Sequence, residues 1–539
     1  MKTNNLLYCS HFLSSWGDRM WNFAVPLFLV SLESFDLKLP AAYGLATTAT
    51  VLVFGPIIGD WIDRTARLKA VKITLAVQNS FVIINSILLL VYIIKKESFS
   101  DTNLMLVQIF TIVFGCVSNL ASSSSAIIIQ KDWVVVISAG DSNFLADLNS
   151  WMRRIDLVTK CIAPPLCGIF LDQLHHVGGL AFIASWNLVS MILEYLLLKK
   201  VYKNVPLLAL KQNLSIKHVK VENSINQDQE ESVFINDVRE VQTELTEFKV
   251  KTKTSNIKEV CINKTARKDR KTFFSLIYNS FLSLKIGWKF FFNQPIALPC
   301  LGFSLLYLTV LGFGTITVSY AYSQCFSELL MGILTAAAAL SGIIATLIYS
   351  PLRRKVGLIK AGFISAVSQT ITLFFSMSSI FLDGSPFYLF PQKSMENVVN
   401  NNGFNLSSIE TDSGIFIKCG EGFEMPNSFL SLSVLMTGVI LARFGLWGFD
   451  LTITQLIQES VLESERGIFN GVHSALNNLM DLLMYVLVII FPQFNKFGLL
   501  VIISVFTTFS CYVMYCVYAF KVEKSNSMPL KKKIIHSGK

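Results

Sequence analysis

Long apolar stretches recur along almost the whole chain, and they constrain its fold more than any other feature. A membrane-spanning helix needs about 20 consecutive, mostly apolar residues. Because backbone polar groups find no water inside a bilayer, such stretches must fold as helices. The chain has about twelve of them, near residues 8–33, 41–62, 70–94, 104–129, 150–172, 178–200, 287–322, 326–350, 357–382, 428–455, 467–492 and 496–521. The sequence therefore predicts an all-α membrane protein with twelve transmembrane helices.

The apolar stretches fall into two groups of six, which suggests two bundles. We interpret residues 1–200 as an N-terminal six-helix bundle and residues 284–522 as a C-terminal six-helix bundle. The polar, mixed-charge segment 201–283 has too few apolar residues for a core, so it predicts a flexible cytosolic linker. Residues 383–427 are predicted as an extracellular loop, and residues 523–539 as a cytosolic tail.

Composition supports the membrane interpretation and argues against other classes of protein. Only 15% of the 539 residues are charged and 52% are hydrophobic, whereas soluble domains carry about 25% charged residues. The net charge of +10 lies in short loops and the tail rather than in a patch with interleaved aromatic residues, so lipid rather than nucleic acid is the expected partner. No nucleophile–base set or phosphate-binding loop is present, so we expect no enzyme. The ten cysteines include no CxxC pair and are interpreted as free, small apolar residues.

The placement of basic residues predicts the orientation of the chain in the membrane. Lys and Arg are enriched in cytosolic loops, and the loop after the second stretch holds Arg64 and Arg67. The loop after the eighth stretch holds Arg353 and Arg354, and the tail has three consecutive lysines. Both termini are therefore expected in the cytosol. The opposite loop contains Asn405-Leu406-Ser407, a glycosylation sequon, so a glycan is expected on Asn405.

The first basic loop carries a recognisable motif. Gly59-x-x-x-Asp63-Arg64-x-x-Arg67 resembles the cytosolic loop motif of major-facilitator transporters. That resemblance implies that Gly59 lets two helices approach closely, and that Asp63, Arg64 and Arg67 hold a cytosolic gate shut through charge-assisted contacts. The alternative is an ordinary basic loop. Two six-helix halves with the substrate between them is the architecture expected of this fold.

Four polar side chains in the N-terminal stretches point to a cation site. A charge at mid-bilayer costs about 2.5–3.5 kcal/mol even on the insertion scale, so Asp18 and Glu194 need a structural or functional reason. Asn187 lies two helical turns before Glu194 and shares its helix face, and Gln78 is a further polar group in an apolar run. Two carboxylates and two amides offer only oxygen atoms, which suit a hard cation. Separate polar contacts between helices are the alternative.

In the C-terminal half, Arg443 and Asp450 are seven residues apart, and Asp481 lies in another apolar run. Charge pairing that stabilises the bundle is the favoured interpretation, with substrate contact as the alternative. The two glycines Gly312 and Gly314 predict that the seventh stretch can unwind, which is where transporters often place a gate or a site.

Several long strings are similar to the ferroportin family, in the order in which that family has them: SSWGDRMWNFAVPLFLV, GDWIDRTARLK, SWNLVSMILEY, NQPIALPCLGFSLLYLTVLGF, RFGLWGFDLTITQLIQE and ESERGIFNGVHSALNNLMDLL. The resemblance covers essentially every apolar stretch. It implies a major-facilitator fold, a plasma-membrane location and efflux of ferrous iron. It further implies proton antiport and a calcium site in the N-terminal half.

The same resemblance assigns roles to the four N-terminal polar residues. Asp18 matches the aspartate that serves both the first metal site and calcium. The other calcium ligands of the family are matched by Gln78, Asn187 and Glu194. The suspected cation site is thus fully retained.

Three positions depart from the family, and we take them as candidates for an altered substrate path. Asn22 and Met484 stand where vertebrate-like members have histidine, and Thr315 stands where they have cysteine. Ferrous iron favours imidazole and thiolate over neutral oxygen, so metal affinity or preference should differ. The missing cysteine is also central to binding the hormone hepcidin in the family, so hepcidin is not expected as a partner.

The leading hypothesis is a monomeric exporter of Fe²⁺ that works by alternating access. A second hypothesis changes the cargo to another divalent cation, such as manganese or cobalt, or to an organic solute. A third is a transport-deficient paralogue that acts as a cation sensor or scaffold. Efflux of metal from cells or liposomes separates the three.

Overall fold

The chain folds almost entirely into α-helices. The computed structural model describes residues 3–32, 36–139, 141–209, 287–387, 417, 419, 425–462 and 465–527. Within these residues the β-type pairing consists of two isolated bridges, Asp36 with Gln493 and Phe326 with Ile417. The predicted all-α class is therefore confirmed.

The N-terminal half contains seven helices. They are α1 (Thr3–Leu32), α2 (Lys38–Arg64), α3 (Arg67–Ile94), α4 (Asp101–Ala126), α5 (Val134–Ile137), α6 (Ser142–Gln173) and α7 (His175–Asn204). A π-helical segment, Ile127–Trp133, joins α4 to α5. α6 continues through Pro164 and Pro165, although proline ordinarily kinks or ends a helix.

The C-terminal half contains eight described helices. They are α8 (Gly287–Asn293), α9 (Ala297–Leu305), α10 (Thr315–Ser323), α11 (Glu328–Val356), α12 (Leu358–Ser378), α13 (Leu430–Ser460), α14 (Arg466–Ile490) and α15 (Phe497–Ser527). α8 meets the helical segment that begins at Ala297 at an angle of 110°. The bend falls at Pro295, whose ring cannot continue a straight helix.

Within the described part of the chain, eight helical segments are long and apolar enough to cross a membrane, and nine if the bent pair α8–α9 counts as one span. The helices α1, α2 and α6 have 30, 27 and 32 residues but are not among those eight. Each predicted stretch coincides with a helix, while the count of twelve membrane crossings stays a prediction.

Apolar side chains cover the outside of the helix bundle. Leu347, Ile371 and Phe506 are 69%, 63% and 64% exposed, which would be costly in water but is natural against lipid tails. Inside, a cluster that includes Met20, Phe28 and other buried residues of both halves fills the space between the helices. The exposed apolar surface thus agrees with a multi-pass membrane protein.

The two halves meet on one side of the molecule, which we call the outer side and define as the side where α1 ends and α2 begins. The Ser319 hydroxyl donates a hydrogen bond of 2.9 Å to the Pro26 carbonyl, and the Leu37 amide donates one of 2.8 Å to the Pro492 carbonyl. His176 lies 3.8 Å from Glu328. The opposite side is called the inner side below.

Toward the inner side, α2 and α14 separate. Near the outer side, Gly44 of α2 packs directly on the ring of Tyr485 of α14. A Cβ placed on Gly55 or Gly59 of α2, or on Gly471 of α14, would meet no atom within 4 Å. The halves are therefore closed against each other outside and spread apart inside.

Several predictions fall on residues outside the described part of the chain. Most of the predicted linker 201–283, most of the predicted extracellular loop 383–427 and nearly all of the tail 523–539 are outside it, as is the predicted glycosylation site Asn405. They stay predictions.

Candidate metal centre and the cavity between the halves

Asp18 lies where three helices of the N-terminal half meet. It projects from α1, and the Gln78 side chain of α3 donates its Nε2–H to Asp18 Oδ1 at 2.7 Å. The Ser122 hydroxyl of α4 donates to Asp18 Oδ2 at 2.8 Å. Two of the four predicted cation ligands are thus in direct contact, and Ser122 is a partner that the sequence did not indicate.

The other two predicted ligands, on α7, face the same part of α1. Glu194 is only 1% exposed, forms a side-chain hydrogen bond with Ser14 and interacts electrostatically with Asp18. Asn187 Oδ1 lies 3.4 Å from the position that a Cβ would occupy on Gly17, the residue next to Asp18. Asp18 and Glu194 therefore lie on neighbouring helices of the N-terminal bundle, close enough to interact electrostatically.

Two oxygen atoms of this centre are buried without a hydrogen-bond partner in the described part of the chain, namely Gln78 Oε1 and Glu194 Oε2. A buried oxygen without a partner, and above all a buried carboxylate, is unfavourable unless a donor or a cation offsets it. Carboxylate and amide oxygens are ligands that calcium accepts. The donor set therefore fits a hard divalent cation.

The centre lacks the donors that soft transition metals prefer. Among the described residues, no group of three or more His, Cys, Asp or Glu side chains is placed to hold a metal ion. The set around Asp18 has only two such side chains, and its other donors are amides. Chemically it favours a hard cation over a site built from imidazole and thiolate.

A larger cavity of about 560 Å³ is lined by residues of the C-terminal half and by Arg153 of the N-terminal half. Thr315, at the start of α10, and Met484, on α14, both line it, together with Asp450 and Asp481. Tyr485 forms a side-chain hydrogen bond with Thr315, and the Thr48 hydroxyl of α2 donates to Asp481 Oδ2 at 3.2 Å. Two of the three altered family positions are thus in one cavity.

The wall of this cavity includes the break between α9 and α10. The Ser504 hydroxyl accepts a 3.0 Å hydrogen bond from the Val310 amide, and the Thr317 hydroxyl bonds to the Val310 carbonyl. A Cβ on Gly312 would overlap Arg443 Nη2, so the flexible Arg443 side chain packs closely on this glycine. The predicted unwinding of the seventh stretch is confirmed.

Asn22, the third altered position, lies in a different cavity of about 220 Å³. Arg443 and Trp447 line both cavities. The structure therefore does not bring Asn22 together with Thr315 and Met484 in one pocket.

The charge pairs differ from those expected. Arg443 and Asp450 both line the larger cavity, but no ion pair between them occurs in the described structure; Arg443 packs on Gly312 instead. Asp156 bonds to His11 and to the Ser15 hydroxyl, each at 3.0 Å. Sequence spacing could not show the His11 contact, because its partner is 145 residues away.

The loop motif forms its contacts within the N-terminal half. Arg64 pairs with Asp60 at 2.9 Å, and Arg67 holds Asp132 with two hydrogen bonds of 2.8 Å. Gly59 faces open space, so the expected close approach of a second helix is absent. The side chain of Asp63 is outside the described structure.

One cysteine prediction is wrong. Cys325 and Cys419 form a disulfide that closes 94 residues of sequence, and it lies on the outer side beside the bridge from Phe326 to Ile417. The other described cysteines are free. The pair was not recognisable because its two members lie far apart in sequence and outside any short motif.

The sequence is similar to known proteins along most of its length. The family profile described as Ferroportin1 (FPN1) matches residues 1–508. The chain is 39% identical to "Ferroportin" of Homo sapiens over 541 residues, which covers 95% of this chain and 90% of that protein. It is 40% identical to "Solute carrier family 40 member 1" of Danio rerio over 537 residues, with 96% and 91% covered.

Solved structures show the same fold. A bacterial homologue of iron transporter ferroportin in an inward-facing state matches with a TM-score of 0.67 and 21% identity, covering 96% of this chain and 98% of that one. The outward-facing state with soaked iron matches with a TM-score of 0.55, covering 96% and 100%. Together with the two helical halves, these matches confirm the predicted major-facilitator fold of a membrane transporter. The chain belongs to the ferroportin family.

Proposed function

We propose that this protein exports ferrous iron across the plasma membrane by alternating access. The cavity of about 560 Å³ that the C-terminal half lines together with Arg153 of the N-terminal half is the main support. It carries the carboxylates Asp450 and Asp481, which attract a divalent cation. Relatives at 39–40% identity carry the name ferroportin, and a solved bacterial structure is described as a homologue of iron transporter ferroportin.

The outer side is proposed to face the extracellular space. The disulfide Cys325–Cys419 is on that side, and disulfides persist in oxidising compartments. The basic residues Arg64, Arg353 and Arg354 lie at the opposite ends of their helices, as expected for cytosolic loops. This orientation places both termini in the cytosol and the sequon at Asn405 outside.

The described arrangement supports a state that is closed to the outside. Cross-half contacts such as Pro26–Ser319 and His176–Glu328 lie on the outer side, while α2 and α14 separate toward the inner side. In the alternate state, the loop motif with Arg64 and Arg67 would approach the C-terminal half and close the cytosolic side. Iron would enter from the cytosol in the first state and leave in the second.

The centre around Asp18 is proposed to bind a divalent cation in the N-terminal half. Asp18, Gln78, Asn187 and Glu194 would hold calcium there, because their buried oxygens fit a hard ion. When bound, the ion supplies positive charge that offsets two buried carboxylates. Asp18 would also contribute to the path of iron, as the family resemblance implies.

Proton coupling is part of the proposal, since export of a cation out of the cell needs a coupled driving force. The support is the family resemblance. An inward-directed proton gradient across proteoliposomes is expected to accelerate metal efflux. Equal efflux rates with and without the gradient would remove this part of the proposal.

A second candidate function keeps the fold and changes the metal. The hydroxyl of Thr315 and the thioether of Met484 stand in one cavity where the family implies thiolate and imidazole. Weaker donors reduce the preference for Fe²⁺ over Mn²⁺. A third, a transport-deficient cation sensor, is supported by the retention of all four oxygen ligands around Asp18.

Metal efflux from proteoliposomes loaded with radioactive Fe²⁺ tests these functions. Asp18→Asn is expected to lower efflux at least tenfold. The matched control is Asp147→Asn, which removes a carboxylate from an exposed position on α6 and should leave efflux unchanged. Manganese flux without iron flux would favour the second function, and calcium binding without any flux would favour the third.

A further inference from the structure

The smaller cavity, about 220 Å³ at the boundary between the halves, is lined by three cationic side chains. Arg19 comes from α1, Lys160 from α6 and Arg443 from α13. The other described lining residues are Asn22, Phe23, Pro164, Phe313, Val318, Thr335, Ala338, Ala339 and Trp447. None of these is acidic, so a small space inside the membrane domain presents positive charge alone.

These cations are not neutralised by direct partners in the cavity. Arg19 Nε is buried without a hydrogen-bond partner in the described structure. The Lys160 ammonium lies 5.5 Å from the centre of the Trp447 ring, and the Arg153 guanidinium lies 5.1 Å from the same ring. Lys160 is also repelled electrostatically by Arg19, Arg153 and Arg443.

The nearest carboxylates are committed to other groups. Asp18 and Asp156 interact electrostatically with Arg19, and Asp156 also with Lys160. However, Asp18 bonds to Gln78 and Ser122. Asp156 bonds to His11 and Ser15. Neither acid lines the cavity.

Buried like charges of this kind are stabilised when an anion binds among them. Coulomb interactions are several-fold stronger in a water-poor interior than in bulk water. A guanidinium presents two parallel N–H groups that match a carboxylate, and an ammonium adds a point charge. Two guanidinium groups and one ammonium around a small void therefore select a compact, planar oxyanion.

We propose that this cavity binds a small carboxylate-type anion between Arg19, Lys160 and Arg443. Because α1 and α6 belong to one half and α13 to the other, the bound anion bridges the two halves. The anion can arrive as a ligand of the transported metal ion or as a free anion. The proposal does not depend on iron being the cargo.

Binding of radiolabelled citrate to the purified full-length protein tests the proposal without any transport measurement. The wild type is expected to show saturable binding in low-chloride buffer. Lys160→Met should weaken binding at least tenfold, because one charge-assisted contact is worth about 1.5–3 kcal/mol. Lys160→Arg keeps the positive charge. It should bind citrate within about threefold of the wild type, because the charge-assisted contact is retained.

The matched control is Arg154→Met, which removes an exposed cation of the same helix that stacks on Trp151 rather than on Trp447. It should bind citrate like the wild type. Should Lys160→Met fail to fold, Lys160→Gln replaces it, and the melting temperature confirms the fold of each variant. Absence of saturable binding by the wild type, or equal binding by the wild type and the folded Lys160 variant, overturns the proposal.

A buffer with added Co²⁺ and a buffer with a metal chelator distinguish an anion that arrives bound to the metal from one that arrives free. Citrate binding that requires added Co²⁺ indicates that the anion arrives as a ligand of the metal. Equal binding in the presence of a metal chelator indicates a free anion. Either result supports an anion site. Absence of iron efflux in the separate transport assay would not contradict this site.

Discussion

At the scale of single residues, the centre around Asp18 shows which oxygens are available to a cation. Both Asp18 oxygens already accept hydrogen bonds, whereas Glu194 Oε2 and Gln78 Oε1 are buried without partners. The oxygens without any hydrogen bond therefore belong to the neighbours of Asp18, while each Asp18 oxygen keeps a second lone pair for a cation. Of the two side chains that provide the oxygens without a hydrogen bond, only Glu194 can carry a negative charge.

Glu194→Gln should remove most of the calcium response of the protein. The wild type is expected to melt at a higher temperature when calcium is added, because a ligand that binds the folded state stabilises it. The variant loses one of two carboxylates, so at least tenfold more calcium should be needed for the same shift. Glu97→Gln, at an exposed position on the outer side, is the control; an equal calcium response of all three proteins would contradict the assignment.

Because residue 315 is a threonine, it offers no thiol through which hepcidin could be captured. We expect hepcidin not to bind the wild type in a thiol-dependent way, because position 315 offers a hydroxyl that Tyr485 already engages. Thr315→Cys is expected to gain such capture. A pull-down with and without alkylation of the thiols measures it, and thiol-dependent capture of the wild type would refute the prediction.

The sequence predicted the four cation ligands because charged and amide side chains are conspicuous in apolar runs. It did not predict Ser122 or Ser14, because serine is unremarkable in a membrane helix and shows its role only when helices pack. The cavity with Arg19, Lys160 and Arg443 was likewise not predicted. Its members come from three helices that are distant in sequence.

At the scale of helices, α6 and α11 illustrate how glycine allows the halves to close. Gly168 of α6 packs against the backbone of Glu328. From α11, Gly332 approaches α6 so closely that a Cβ would lie 2.7 Å from the Pro164 carbonyl oxygen. Small residues at such crossings permit close backbone contact in membranes.

Gly168→Ala should therefore destabilise the protein. The added methyl group meets backbone atoms that cannot rotate away, and overpacking of this kind costs about 1–3 kcal/mol. Gly471→Ala is the matched control, since its Cβ would meet no atom within 4 Å, and it should be neutral or slightly stabilising. Thermal unfolding in detergent measures both, and the same melting temperature for Gly168→Ala and wild type would show that the helices are not in firm contact there.

The sequence predicted the positions of the helices more completely than the contacts between them. Apolar runs near 20 residues long predicted the helices, and Gly312 with Gly314 predicted the break before α10. The continuation of α6 through Pro164 and Pro165 could not be predicted from the helix-breaking tendency of proline alone. At this point Gly332 of α11 lies close to the Pro164 carbonyl.

At the scale of the whole molecule, the two halves are held together at the outer side by few polar contacts. Among the described contacts between the halves on that side, His176 Nε2 lies 3.8 Å from Glu328 Oε1, a pair that is ionic when His176 is protonated, and the Glu328 side chain is 6% exposed. A buried carboxylate is strongly stabilised by a cationic partner. This pair therefore contributes to keeping the outer side closed.

Glu328→Gln should shift the molecule toward an outward-open state. Ser319→Cys, placed where the Ser319 hydroxyl now bonds to the Pro26 carbonyl, reports on this opening. A membrane-impermeant maleimide added outside should label it several-fold faster in the Glu328→Gln background. Glu97→Gln should leave the labelling rate unchanged. Equal rates in all backgrounds would show that the ion pair does not hold the outer side closed.

The sequence predicted two halves, but it did not predict that they would be closed toward the outer side and separated toward the inner side. That state depends on pairs such as Thr48 with Asp481, which are 433 residues apart. Each such contact is weak, and although Asp481 stands out in its apolar run, its partner Thr48 does not. Only the assembled structure shows that these contacts are concentrated toward the outer side.

The link between Cys325 and Cys419 turns α11, α12 and the segment between them and Cys419 into one covalent ring. The bond holds the start of α11 beside Cys419, so whatever displaces one of them displaces the other. The unwound turn between α9 and α10, which borders the cavity with Thr315 and Met484, is separated from Cys325 by a single short helix, α10. A pull on the extracellular end at Cys419 would consequently act within one short helix of that turn.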